Sequence, residues 1–350
     1  MRRAPSDIVA AFYSALTSGE ALAARRYLAP DVRWHAAEPC AASHGIEEFF
    51  ETFWRPIATA LPDVEYRPFV RVASRYDGIM LHGEGAAGDW VATTGYLAGT
   101  FMSPLFAIPA TGRTLYLRFG ELARVEGGRI AESYVIPDFI DAMVQAGVSP
   151  LRVSLGHPGL VMPPMSMDGI DRQPADPADT NDSVRLVLDM LDGLGRFDGV
   201  SLLSMDQERY WHPDFMWYGP GGIGTTRGLA GFRAHHQGPF LRGFPVRAVD
   251  RAKCLVADGN YVATGGWPHM TGVHKGGGWL CLAPTGREVK LRVMDWWRRD
   301  GTLLRENWVS IDIVHVLGQL GLDVFAQMRE LLGRDGSGSP ISTGIRRQAW

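Results

Sequence analysis

Two carboxyl side chains, Glu121 and Asp295, stand among apolar neighbours in strand-like stretches of the sequence. Their placement follows from hairpin arithmetic, because a turn fixes which residues of two strands meet. A three-residue loop in the turn Glu126-Gly127-Gly128-Arg129 puts Arg124 opposite Glu132 and Glu121 opposite Val135. The same register later in the chain puts Arg298 opposite Glu306 and Asp295 opposite Val309. A two-residue loop breaks both charge pairs, so the longer loop is expected. One face of the first hairpin then reads Leu117, Phe119, Glu121, Ala123 and Val125, with Ser133 and Val135 across from it. The matching face of the second reads Leu291, Val293, Asp295 and Trp297, with Asn307, Val309 and Ile311. A carboxyl on an apolar face must find a donor or carry a raised pKa, and a general acid or base in a pocket requires either. The structural alternative, a carboxyl satisfied by Arg, Tyr or backbone, stays open at this point.

Other groups could assist these acids. His35 and His44 lie near the strand ending in Trp34, and a histidine beside an acid suits proton transfer near neutral pH. The equivalent positions in the second half are Tyr218 and Arg227, next to Trp217, which would hydrogen-bond a carbonyl or anionic oxygen. Seven of the 11 tryptophans fall between Trp211 and Trp308. Filling cores is their default role; Trp34, Trp217, Trp267 and Trp297 are the candidates for lining an aromatic pocket. Glu132 and Glu306 are accounted for by their arginine partners, and Asp138 and Asp312 sit where N-caps belong. His235-His236, His269 and His274 form no metal-binding spacing, so no metal is expected. Gly219 to Gly224 lacks the ending of a phosphate loop and reads as a mobile turn.

The elements that position these residues occur twice. Ala29-Pro30-Asp31-Val32-Arg33-Trp34 aligns with His212-Pro213-Asp214-Phe215-Met216-Trp217, and at that offset Gly45 meets Gly228, Phe49 meets Phe232 and Pro56 meets Pro239. Val91-Ala92-Thr93 matches Val262-Ala263-Thr264, and Thr111-Gly112-Arg113 matches Thr285-Gly286-Arg287. Each copy opens with an amphipathic helix (Ser6 to Thr17, Ser183 to Leu194), with Ser6 or Asp182 as its cap. A strand, a short helical stretch, several long strands and a closing helix follow, with turns at Tyr76-Asp77-Gly78 and Asp258-Gly259-Asn260 among others. This order predicts an α+β unit with a curved sheet wrapped around helices. Six prolines between Gly147 and Asp182 mark a linker. The expected organisation is therefore a domain over 1–147, a linker over 148–181, a second domain over 182–333 and a flexible tail over 334–350.

Composition bounds the function. The 350 residues are 46% hydrophobic and 21% charged, with a formal net charge of -3, so nucleic acid is an unexpected partner. Cys40, Cys254 and Cys281 form no CxxC pair and suit a reducing, cytoplasmic setting. No apolar segment follows Met1-Arg2-Arg3, which predicts no secretion signal, and the uncharged run from Trp90 to Gly112 is broken by turn residues, so no membrane association is expected.

A Thr-Gly-Arg turn, an arginine-bearing strand, Glu-x-(Tyr/Trp)-x-x-x-Asp and a final helix with Gln145-Ala146-Gly147 or Gln319-Leu320-Gly321 complete each copy. In these motifs the sequence resembles the SnoaL-like polyketide (ester) cyclase family of the nuclear transport factor two-like superfamily, as a tandem. The resemblance implies two cone-shaped α+β barrels, cofactor-free acid–base chemistry in an apolar cavity, and contact between sheets as an intrachain pseudo-dimer, with further oligomerisation open. The family's usual catalytic aspartate position is Val135 or Val309 here, while its second polar position falls on Glu121 and Asp295. The expected function is a lyase or isomerase acting on a small carbonyl-containing metabolite. The alternative is a non-catalytic protein that binds an apolar metabolite.

Overall fold

The computed structural model describes residues 4–76, 87–151, 154–170, 175–249 and 254–334. The turn expected at Asp77-Gly78 and the tail over 335–350 lie outside these residues. Two sheets are present, each built by one copy of the repeat. The first holds β1 (Leu28–Ala36), β2 (Ser43–His44), β3 (Glu65–Tyr76), β4 (Gly88–Thr100), β5 (Thr114–Glu126) and β6 (Arg129–Pro137), in the order β2-β1-β6-β5-β4-β3. The second holds β7 (Trp211–Tyr218), β8 (Thr225–Arg227), β9 (Val246–Val249), β10 (Cys254–Asp258), β11 (Tyr261–Val273), β12 (Glu288–Asp300) and β13 (Leu303–Ile311). Its order is β10-β11-β12-β13-β7-β8, with β9 also on β11. Neighbours are antiparallel except β1 with β6 and β7 with β13, which run parallel.

Each sheet curls around its own helices. In the first unit these are α1 (Pro5–Thr17), α2 (Ala21–Arg25), α3 (Ile46–Phe49), α4 (Arg55–Ala60) and α5 (Phe139–Gln145). The second has α6 (Pro177–Leu194), α7 (Gly228–Phe232), α8 (Gly238–Gly243), α9 (Ile313–Leu320) and α10 (Val324–Arg334). A π-helical turn, Phe50–Trp54 or Arg233–Gln237, joins the two short helices that follow Gly45 or Gly228. α1 buries Ile8, Val9, Phe12, Tyr13 and Leu16, the one-sided spacing of an amphipathic helix. Its start differs from expectation: Ala4 is the N-cap and Pro5 opens the first turn, so Ser6 lies inside the helix. α6 likewise begins at Pro177, six residues before Ser183, with the Asp176 carboxylate accepting from the Ala178 amide; Asp182 pairs with Arg185 instead. Asp138 and Asp312 cap α5 and α9 as expected.

The hairpin register is the expected one, but its cause differs. Glu121 faces Val135, Arg124 faces Glu132, Asp295 faces Val309 and Arg298 faces Glu306. The turns use two residues, because Glu126 pairs with Arg129 and Asp300 with Leu303. A bulge beside each turn, leaving Ala131 or Arg305 without a cross-strand partner, restores the charge pairing.

The outer faces of the two sheets pack on one another, forming the intrachain pseudo-dimer. Trp90, Leu122 and Tyr134 of the first sheet share a buried cluster with Trp267, Trp296 and Trp308 of the second. Close approach depends on glycine: a Cβ at Gly120 would lie 2.6 Å from Ser310 Oγ and 2.7 Å from the Trp296 ring, and one at Gly265 would lie 2.4 Å from Leu122. Buried Arg118 ties the units further by donating to the carbonyls of Gly219 (2.7 Å), Tyr218 (2.9 Å) and Val309 (2.8 Å). The Gly221 amide donates to Asp138 at 2.7 Å, so the glycine turn read as mobile is pinned to the first unit. Between α5 and α6 the chain passes along both sheets: the Val161 amide donates to Tyr96 Oη, and the Met162 carbonyl accepts from Trp308 Nε1.

This packing makes a direct prediction. Gly120→Ala overpacks the contact and lowers unfolding stability by about 1–3 kcal/mol. Gly231→Ala, in α7 with its nearest neighbour 3.8 Å away, leaves stability unchanged or slightly raised. Urea unfolding of both variants checks the contrast, and equal effects contradict the account.

Candidate active site

Strand alternation decides which side chains can share a site, since successive residues point to opposite faces. Glu121 lies on the inner face of the first sheet, fully buried. Its Oε1 accepts from Ser133 Oγ at 2.7 Å, and both carboxylate oxygens are buried. Cross-strand from Glu121 is Thr93, whose hydroxyl is also buried. Burial pushes the Glu121 pKa up to about 7, opposed by the hydroxyls of Ser133 and Tyr13. Trp34 lies on this face too, its indole ring 4.5 Å from Phe49 and 5.4 Å from Phe53. Its Nε1 is buried without a partner.

The second sheet repeats the pattern with other residues. Asp295 accepts from Asn307 Nδ2 at 3.3 Å and pairs across the strands with Thr264, whose hydroxyl is buried and unpartnered. Burial raises its pKa to about 7 against the Asn307 contact, although Asp295 keeps part of its surface accessible. Trp297, two residues along the same face, is 3% exposed with a free Nε1. Trp217 is the strand neighbour of Asn307 and stacks on His236 at 4.0 Å. Neither acid has an arginine partner among the ion pairs of the described residues; the charged pairs Arg124–Glu132 and Arg298–Glu306 are on the outer face.

Several expected partners are placed elsewhere. His35 pairs with Tyr134 across β1 and β6 and stacks on its ring at 4.5 Å, on the sheet face opposite Glu121. His44 is exposed on β2, lining a surface groove with Arg33, Arg124 and Arg129. The joint action of His35, His44 and Glu121 is therefore not formed: alternation sends His35 outward, and His44 sits at the sheet edge. Tyr218 also faces outward, stacked on Trp308 at 5.5 Å, and Arg227 is exposed and paired with Asp214 at 2.6 Å. Trp267 belongs to the contact between sheets, 5.6 Å from Tyr134 with the Arg292 guanidinium 4.4 Å above its ring. Of the expected residues, Glu121 and Trp34 share the first cone, and Asp295, Trp217 and Trp297 the second. Sequence reasoning passed over Thr93, Thr264 and His236 as site residues, although the repeat and the period of two place both threonines beside the acids.

A sheet closed around helices, with one buried acid facing inward and the whole arrangement present twice, defines a tandem α+β cone protein. The SnoaL-like domain model matches residues 9–133 and again 196–307, so the chain belongs to the SnoaL-like domain family. No curated protein matches the chain. Among solved structures, it is similar to wild-type IdmH from Streptomyces antibioticus, described as a candidate polyketide cyclase, at 27% identity. That match covers 42% of this chain and 100% of the other, with a TM-score of 0.32. AclR from Streptomyces galilaeus, described as a candidate hydroxylase, is 23% identical over 41% of this chain and 97% of its own, with a TM-score of 0.33. An NTF2-like protein from Burkholderia xenovorans is 21% identical over 40% and 97%, with a TM-score of 0.33. No described helix is long and apolar enough to cross a membrane.

The raised acids make stability depend on pH. Both pKa values rise on folding, from 4.5 and 3.8 to about 7, so the folded chain binds more protons than the unfolded chain between these limits. Their contribution is full at acid pH and falls as pH rises toward 7; Asp141, also pushed up to about 7, acts in the same direction. Glu121→Gln removes one ionisation and flattens the fall in unfolding free energy between pH 5 and pH 7.5. An unchanged slope in both Glu121→Gln and Asp295→Asn contradicts the burial of these groups.

Proposed function

We propose that the chain is a cofactor-independent lyase or isomerase of the cyclase type, using acid–base chemistry on a small carbonyl-containing ligand in an apolar pocket. The observation that carries this reading is an acid at the same register position of both inner faces, each bonded by a neutral donor and each poised near pKa 7. Such a group is populated in both protonation states at neutral pH, as proton transfer in both directions requires. The carboxylate takes a proton from the carbon next to the carbonyl and returns it elsewhere on the ligand. Unpartnered donors on the same faces, Thr264 Oγ1 and Trp297 Nε1 in the second cone and Trp34 Nε1 in the first, suit the developing enolate oxygen. Val309, Trp217 and Trp297 give the inner face around Asp295 an apolar surface that suits an apolar ligand body. The working units are read as 1–147 and 182–333, the second extended back to Pro177 by α6, in a reducing cytoplasmic setting where Cys40, Cys254 and Cys281 remain thiols.

Aromatic walls in the second cone also fit the alternative, a protein that only binds such a ligand. Hydrogen–deuterium exchange of 2-tetralone, a small apolar ketone, separates the two when followed by proton NMR in D₂O. The full chain accelerates exchange next to the carbonyl. The double variant Glu121→Gln/Asp295→Asn loses at least ~100-fold of that acceleration. Equal rates in both forms overturn the acid–base reading, and saturable binding without acceleration selects the binding protein.

A further inference from the structure

Corresponding inner positions of the two cones are not equally buried. Four inner positions of the first, Phe53, Ile57, Phe119 and Glu121, are between 0% and 1% exposed. Their counterparts in the repeat are His236, Phe240, Val293 and Asp295, and all four keep partial exposure. In the first cone a stacked Tyr13–Tyr66 pair, with ring centroids 4.3 Å apart, packs against Phe119 and fills the space near Glu121. The second cone has Val293 where the first has Phe119, which withdraws most of an aromatic ring from the inner face. The acid pattern is kept in both, but burial differs.

His236 occupies the position of Phe53 under the inward tryptophan. Phe53 lies 5.4 Å from Trp34, and His236 lies 4.0 Å from Trp217 in a near-parallel stack. Both belong to a π-helical turn, a feature frequent at functional sites. The substitution exchanges an apolar ring for one whose Nδ1 is buried without a hydrogen-bond partner. Trp217 adjoins Asn307, and Asn307 donates to Asp295, so the imidazole and the acid belong to one continuous wall.

Resting on the acid–base reading above, we infer that the second cone is the one that admits ligand, and that His236 hydrogen-bonds the carbonyl-bearing ligand and orients it toward Asp295. The first cone is a sealed copy that supports the fold. Burial holds the imidazole neutral, pushing its pKa down to about 3, so it binds through a ring N–H or lone pair without adding charge. A buried polar atom with no partner costs free energy in the empty protein, and a ligand carbonyl or hydroxyl relieves it.

Crystals of the full chain soaked with 2-tetralone, together with calorimetric titration, test the assignment. The expected result is one equivalent bound, with ketone density in the second cone beside His236. His236→Phe, which copies the first cone, weakens binding about tenfold, and His236→Gln, which keeps a neutral hydrogen-bonding group, restores most of the loss. Melting temperatures of both variants establish that they fold. Density in the first cone overturns the inference while leaving the acid–base reading intact. Density in neither cone overturns both, and wild-type affinity in His236→Phe overturns the role of His236.

Discussion

Burying both faces of each sheet is the constraint on which the rest of the structure depends. The inner face must close around helices, and the outer face must meet the other sheet. β4 and β5 are buried on both sides for most of their length, so the polar residues they carry there, Thr93, Thr94, Arg118, Glu121 and Arg124, are buried as well. Ordered contact at the outer face needs flat rings and missing side chains, supplied by Trp296, Trp308, Gly120 and Gly265. Of the charges tolerated there, Arg124–Glu132 and Arg298–Glu306 come as pairs, and Arg118 is satisfied by three carbonyls. Inside each cone the acid is bonded only by neutral groups, and that difference keeps its pKa near neutrality.

Duplication lets one unit relax while the other is held. Both cones retain the acid, its neutral donor and the threonine across the strand: Glu121, Ser133 and Thr93 in one, Asp295, Asn307 and Thr264 in the other. Around that shared core the first cone is packed with aromatic rings, Tyr13 and Phe119 buried and Tyr66 half-buried. The second exchanges two of the corresponding rings for Val293 and His236. Arg118 joins the units through three carbonyls of the second, whereas its repeat counterpart Arg292 pairs with Asp312 in its own unit, so the contact between units is asymmetric as well.

Much of this was legible in the sequence because alternation and repetition are local signals. The inward direction of Glu121 and Asp295 followed from pairing Arg124 with Glu132 and Arg298 with Glu306. The register was right although the loop length was not: a bulge at Ala131 or Arg305 does what a third loop residue was expected to do. His35 and Tyr218 were misjudged because each neighbours an inward tryptophan in sequence, and one step along a strand reverses the face. Trp267 was assigned to a pocket because composition cannot distinguish a ring lining a cavity from one filling the contact between sheets. The difference in burial depends on how rings from several elements meet, and no single segment encodes it.

The account stands most directly on the ionisation of the two inward acids. Carbon-13 NMR titration of the carboxyl groups in the full chain, with Glu121→Gln and Asp295→Asn to assign the signals, measures it. Midpoints near pH 7 for both are the expected result. Midpoints at the ordinary carboxylate value near 4 would contradict the burial and the chemistry built on it.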